Sequence, residues 1–356
     1  MKFCKLFLVA LTGAVFFVSC NSDDDNAPEL PLGAYDNGFL VLNQGNFGSS
    51  NSNVSYISND FATHQNGIFN IVNPTITMGD TGQDIGFNED LAFIVLNVSN
   101  SIQVVNRYTF EHVATINTGL SNPRYIAFAN GKGYVTNWGN ATVATDDFVA
   151  VLDLTSYAVT ATIPVVEGPE RIIEANNILY VAHHGGYGYG NSVSVISTSS
   201  NTVTSTIPVA DVPNSLDVED GFLYVLCGGK EAWTNDETTG ALYQINLNGN
   251  QATTYNFPAG NHPANLVIED NKIYYTVDSD IFMKTINAEL PTQPLFSTTA
   301  QGVYGVYSFA VENNKIYVGD AGDYNSNGKV YVYSMTGSMQ NQFTVGVIPA
   351  GIYFND

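Results

Sequence analysis

His183 and His184 stand side by side at the head of a glycine-rich stretch, His183-His184-Gly185-Gly186. The run before them, Leu179-Tyr180-Val181, is strand-like, and on an extended segment neighbouring side chains point to opposite faces. The two imidazoles therefore do not form a joint metal clamp, and the remaining histidines, His64, His112 and His262, lack ligand spacing. No nucleophile elbow and no paired-carboxylate motif occurs. One loop does carry ligand spacing. Asp323-Tyr324-Asn325-Ser326-Asn327-Gly328 matches the first six positions of a calcium loop, which makes Asp323, Asn325 and Asn327 candidate calcium ligands. Its twelfth position holds Ser334 in place of the bidentate Glu, and Asn327-Gly328 is equally a good hairpin turn.

The residues better suited to chemistry are non-covalent. Phe47, Trp138, Tyr187, Tyr189, Trp233 and Tyr324 each sit in a long Gly/Asn-rich segment, and both tryptophans of the chain fall in this set. Rings on such loops offer rigid contact area at low entropic cost. A second set, Arg124, Glu170, Asn214 and His262, lies in short segments marked by proline: Asn122-Pro123-Arg124, Gly168-Pro169-Glu170-Arg171, Pro213-Asn214-Ser215 and His262-Pro263. Aromatic area with a few orienting polar groups is the pattern of a small-molecule site.

An internal repeat shows what must position these residues. A short apolar run recurs at Phe39-Leu40-Val41, Ala92-Phe93-Ile94, Gly133-Tyr134-Val135, Leu179-Tyr180-Val181, Leu223-Tyr224-Val225, Ile273-Tyr274-Tyr275 and Ile316-Tyr317-Val318. Its middle residues are spaced by 53, 41, 46, 44, 50 and 43, the period of a propeller blade of four short strands. Ser192–Ile196 and Thr202–Ile207 alternate with period two around the turn Ser199-Ser200-Asn201. The repeated run reads as strand B, preceded by strand A and a tight turn such as Asn130-Gly131, Asn176-Asn177 or Asp220-Gly221. Strand D ends in Thr-Ile-Pro-Val at Thr162–Val165 and Thr206–Val209, where proline suits an outer edge. The predicted fold is all-β, a seven-bladed β-propeller. Gly351–Phe354 reads as a strand A with no strand B after it, and Phe39–Val41 as a strand B with no strand A before it, so the two segments should pair and close the ring. The aromatic loops are then B–C loops and the proline-marked segments D–A loops, both on one face at the mouth of the channel.

Tyr134-Val135-Thr136-Asn137 spells the tetrapeptide of the YVTN propeller repeat. The stretch Asn191–Ile196 through Thr206–Val209, with Pro213 and Tyr224-Val225, resembles its consensus. The resemblance runs from about Gly38 to Asp356 and speaks to fold far more than to function. Together with the N-terminus described next, the chain resembles YncE-like propeller lipoproteins of Bacteroidota. Some of these capture cobalamin at the cell surface and pass it to a TonB-dependent outer-membrane transporter. The resemblance implies a non-catalytic protein that binds a small-molecule nutrient, with a corrinoid as first candidate. A glycan- or protein-binding adhesion propeller is the alternative, and a propeller lactonase or lyase, gathering side chains from several blades, remains a third reading.

Lys2 and Lys5 precede an apolar run, Leu6–Val18, too short to span a bilayer and suited to a secretory signal. Phe17-Val18-Ser19-Cys20 resembles a lipobox, with Phe17 in place of the usual Leu, which makes Cys20 the lipidation site. Asn21-Ser22-Asp23-Asp24-Asp25 behind it resembles a surface-export signal, and Ala27–Pro31 reads as a stiff tether. The expected division is a signal peptide at 1–19, a lipidated cysteine and tether at 20–35, and the propeller at 36–356. The expected location is the outer membrane at the cell surface, with the lipid as the sole membrane attachment. The formal net charge is −22, and loss of Lys2 and Lys5 leaves 9 basic against 33 acidic side chains, or −24. Such a surface repels nucleic acid and anionic headgroups, which removes both as partners. Cys227 is then the lone thiol, so no disulfide framework exists and the core must hold by packing.

Overall fold

A computed structural model describes residues 30–140, 142–249 and 251–356. Leu32–Asp356 forms one compact unit. Cys20 and Asp23–Asp25, which carry the lipidation and export expectations, lie outside the described residues.

Seven four-stranded antiparallel sheets make the unit. In six of them the strands follow in sequence order from the inner strand A to the outer strand D. The second blade, for example, runs Gly82–Asn88, Leu91–Leu96, Ser101–Asn106 and His112–Ile116. The strand B segments are the repeated runs, and each is buried along nearly its whole length. A strand covered on both faces by neighbouring blades must be apolar at every position, which is why these runs show no alternation. Strand D of the fourth blade, Thr202–Pro208, is almost wholly exposed, and its Pro208 pairs at the outer edge with Ser192.

Five A–B hairpins hold two consecutive residues at positive φ: Asn130-Gly131, Asn176-Asn177, Asp220-Gly221, Asp270-Asn271 and Asn313-Asn314. This is the two-residue turn whose twist matches the flanking strands, and Asn, Asp and Gly tolerate it best. Packing between blades supplies the core. Tyr134, Tyr224 and Tyr274 are fully buried at equivalent positions of strand B, each worth roughly 1.5–3 kcal/mol of apolar burial. Inner strands are also stapled to one another. Asp84 Oδ2 accepts the Ile126 N–H of the next blade at 3.0 Å, and Asp217 Oδ2 accepts that of Ile268 at 2.8 Å.

The ring closes as expected. Pro349–Asn355 is the inner strand of the first blade and pairs with Gly38–Asn43, with Phe39 opposite Phe354 and Leu42 opposite Gly351. Asn355 is fully buried. Its amide donates to the carbonyls of Tyr35 and Arg107 at 2.6 and 2.8 Å and accepts from Arg107 Nε at 2.6 Å. Two features go beyond the sequence reading. Tyr35 is buried in the core against Tyr56 and Phe110, so the folded unit takes in the last residue of the expected tether. A five-residue helix, Ile68–Val72, also sits in the first D–A connection with Ile68 and Phe69 buried.

Candidate functional site

The mouth of the channel is built by a repeated irregularity. In six of the seven inner strands the A–B ladder skips at the mouth end. The skipped residues are Ala350, Gln83, Arg124 with Tyr125, Glu170 with Arg171, Asn214, and Asn265 with Leu266. A bulge leaves a residue unpaired and re-aims its side chain. Gly82, Pro123, Pro169, Pro213 and Pro349 begin five of these strands. Of the proline-marked segments, Glu170, Arg171, Asn214, Ser215, Ala264 and Asn265 border one cavity of about 220 Å³.

Arg124 and Glu170 form a bidentate pair between the third and fourth blades, with Nη2–Oε1 at 2.7 Å and Nε–Oε2 at 2.9 Å. The Arg124 guanidinium also lies 4.2 Å over the Trp138 ring. Trp138 donates its indole N–H to the Pro169 carbonyl at 3.1 Å and meets Tyr187 edge-on at 6.0 Å. Trp138 is thus half-buried and tied down, not the free loop tip the sequence suggests. Gly168 allows this corner to form. A Cβ there would fall 1.9 Å from the Gly186 nitrogen, and its φ is +64°.

Other expected residues are placed as follows. Asn214 donates to the Pro263 carbonyl at 2.8 Å and accepts from Ser215. One His262 nitrogen, Nδ1, is 2.8 Å from the Gly228 carbonyl, and the other lies 3.7 and 3.6 Å from the Glu231 and Glu237 carboxylates. These belong to the fifth B–C loop, where Lys230 also pairs with Asp236 at 2.6 Å and faces the Tyr189 ring at 5.8 Å. Trp233 sits on a single 3-10 turn, Ala232–Thr234, and is 74% exposed. Phe47 and Tyr187 are 83% and 80% exposed, and Tyr324 is 56% exposed with its ring edge-on to Tyr307 at 5.7 Å. The loops of the first and seventh blades meet where Asn46 donates to the Tyr324 carbonyl at 3.3 Å.

Sequence reasoning passed over Tyr304, which at 88% is the most exposed large ring of the folded unit. With Tyr324, Asp320 and Asp323 it borders a surface cleft of about 440 Å³. Tyr125, Arg171 and Asn265 are not among the residues the sequence singles out, and they line the channel with Glu170, His184 and Asn214. Their only sequence signal is adjacency to the proline-marked residues.

The loop expected to hold calcium is a hairpin organised around Asp323. Asp323 Oδ1 accepts from the Asn325 and Ser326 N–H groups at 2.9 and 2.7 Å, and Oδ2 from the Ser326 hydroxyl at 3.0 Å. These bonds hold its carboxyl below the usual carboxylate range. Asn327 begins the outer pair of strands of this blade, opposite Val347. His183 and His184 diverge as expected. His183 is fully buried with Nε2 2.8 Å from Ser194 Oγ, and burial pushes its imidazole down to about 4, while His184 faces the channel.

A family model described as a domain of unknown function, DUF5074, matches residues 37–352. The chain belongs to the DUF5074 family. Among solved structures, it is similar to a quinonprotein alcohol dehydrogenase-like protein from Bacteroides thetaiotaomicron, at 14% identity and a TM-score of 0.65, covering 90% of this chain and 79% of that one. A functionally unknown protein from Desulfotomaculum acetoxidans is similar at 13% identity and TM-score 0.60, over 90% and 100% of the two chains. A streptogramin B lyase follows at 13% identity and TM-score 0.57, over 76% and 86%. No curated protein matches the sequence. At these identities the DUF5074 chain shares a propeller fold with proteins of varied roles, and the likeness carries no activity across.

Proposed function

We propose that the mouth face captures a small-molecule nutrient, without chemical conversion, for delivery to a TonB-dependent outer-membrane transporter, and that corrinoids are the first class to test. The observation that carries this reading is the set of exposed rings, Phe47, Tyr187, Trp233, Tyr304 and Tyr324, on loops that surround a polar channel mouth. A ring that buries roughly 100 Å² against a ligand contributes about 2.5 kcal/mol gross, and part of that offsets the cost of association. Trp233→Ala should therefore weaken binding roughly tenfold, about 1.4 kcal/mol, with an unchanged melting temperature. Trp138→Phe leaves Trp233 as the one reporter of fluorescence. Titration with cobalamin, checked by calorimetry against optical absorption by the ligand, tests both points. No heat with any corrinoid removes the vitamin, and equal affinity of Trp233→Ala for a ligand that does bind removes the aromatic mechanism. The Tyr304–Tyr324 cleft, with its two carboxylates, favours a glycan as the second reading, so neutral oligosaccharides belong in the same screen.

The reading includes a lipid anchor at Cys20 on the cell surface. No described helix is long and apolar enough to cross a membrane. Lipid chains contribute about 0.8 kcal/mol per buried methylene, so a multiply acylated cysteine holds a protein on a bilayer. Cys20→Ala should move the protein from the membrane to the soluble fraction. Replacing Asp23, Asp24 and Asp25 with Ala should keep it membrane-bound but shield it from external protease. Full protease access in that variant would reduce the acidic run to a tether.

A further inference from the structure

We propose that Arg171 forms a carboxylate-binding subsite inside the channel, below the aromatic face. The chain has three arginines, Arg107, Arg124 and Arg171. Arg107 donates to Asn355 and the Phe354 carbonyl, and Arg124 is spent on Glu170. Arg171 donates to no protein acceptor among the described residues and forms no ion pair. Its guanidinium lies 4.2 Å over the Tyr125 ring, which covers one face and leaves the N–H edges open. Stacking on an aromatic face with edges aimed outward is the arrangement that presents a planar fork to a carboxylate.

Two adjoining cavities share Arg171, Ser215 and Asn265 in their walls. One, of about 220 Å³, opens beside Glu170 and His184. The other, of about 130 Å³, reaches Ser308 and Tyr353. A water occupies roughly 30 Å³, so the space suits a short organic acid or the acidic arm of a larger guest. The carboxylates whose fields reach Arg171 are engaged elsewhere. Glu170 holds Arg124, while Asp84 accepts from the Tyr353 hydroxyl at 3.0 Å and from Ile126 N–H. In a chain of net charge −22, a cation in the channel with open donors and room before it selects for an anion. The inference rests on the proposed capture face only for the route of entry.

Three arginines give three Nε–H cross-peaks in a side-chain nitrogen–proton spectrum of the full chain, assigned by replacing each with Lys. Formate, acetate and succinate should move the Arg171 peak saturably, with half-saturation on the order of 1 mM, and leave the Arg107 and Arg124 peaks in place. Arg171→Lys keeps charge but loses the planar fork, and calorimetry should show at least a tenfold weaker acid. Chloride at equal ionic strength moving the peak as far, or no shift with any of the three acids, would overturn the proposal. Inorganic phosphate saturating below every carboxylate would overturn the carboxylate assignment. If a Lys variant fails to fold, triple-resonance assignment of the wild-type Nε–H peaks replaces it. Neither the titration nor its failure depends on Trp233 or on corrinoid binding, so the two readings stand or fall separately.

Discussion

Removing Pro349–Asp356 should abolish cooperative folding of the ring. The segment supplies six register positions against Gly38–Asn43 and places Ile352 and Phe354 in the apolar layer with Phe39 and Tyr317. At about 1 kcal/mol net per hydrogen bond and roughly 1.5 kcal/mol for each half-buried side chain, the loss is on the order of 6–10 kcal/mol. That equals the whole stability of an ordinary domain, about 5–15 kcal/mol. The cost is compounded because Tyr353 leaves Asp84 without its hydroxyl donor, and loss of Asn355 strands the carbonyls of Tyr35 and Arg107. Circular dichroism should show a broad, non-cooperative melt, and the octapeptide Pro-Ala-Gly-Ile-Tyr-Phe-Asn-Asp added in trans should restore part of the transition. A truncated chain that melts cooperatively near the wild-type temperature would show that the first and seventh blades hold the ring without the clasp. Asn355→Leu is the milder form. It leaves the strand but removes its three buried hydrogen bonds, and should cost about 2–4 kcal/mol.

The ring was legible in the sequence for a physical reason. Each strand B is covered on both faces, so apolar runs such as Leu223-Tyr224-Val225 must recur once per blade, and the half-blades at the two ends complement each other. The turns were legible because Asn130-Gly131 and Asp220-Gly221 are among the few pairs that accept two positive φ angles. The channel mouth was legible only in part. Proline marks where each inner strand begins, but which side chain then turns inward depends on the bulge that follows, and pairing register is a property of two strands. Arg171 was therefore passed over while its neighbour Glu170 was singled out. The loop rings could not be sorted either. Trp138 and Trp233 look alike in sequence, and they differ because one indole finds the Pro169 carbonyl of another blade and the other stands on an isolated turn. Ile68–Val72 is too short to show a helical period, and Tyr35 is held by partners far along the chain, Tyr108, Phe110 and Asn355, which no local pattern reveals.

Glu170→Ala should destabilise the protein by about 2–4 kcal/mol, well beyond the effect of an exposed ion pair. Both side chains are largely withdrawn from solvent, at 15% and 11% exposure for Arg124 and Glu170. Removing the carboxylate leaves a guanidinium whose two donors lose their acceptor while the Trp138 ring still covers one face. The usual cost of stranding a buried partner is about 3–5 kcal/mol, and the open mouth lowers it by admitting water to the guanidinium edge. For a ring of this size each kcal/mol lowers the melting temperature by roughly 2–4 °C, so a fall of about 5–12 °C is expected. Arg124→Met combined with Glu170→Leu should recover most of the loss, because apolar groups of similar volume leave no unpaired charge. The cycle separates this account from a simple packing role. If the pair matters through charge, the double variant is more stable than Glu170→Ala alone, and the emission of Trp138, in a Trp233→Phe background, changes in Arg124→Met as the cation leaves its ring. If the double variant instead loses the sum of the costs of Arg124→Met and Glu170→Leu measured singly, the two residues act independently. The corner of Trp138, Pro169 and Tyr187 would then be held by the indole hydrogen bond and the packing of the rings.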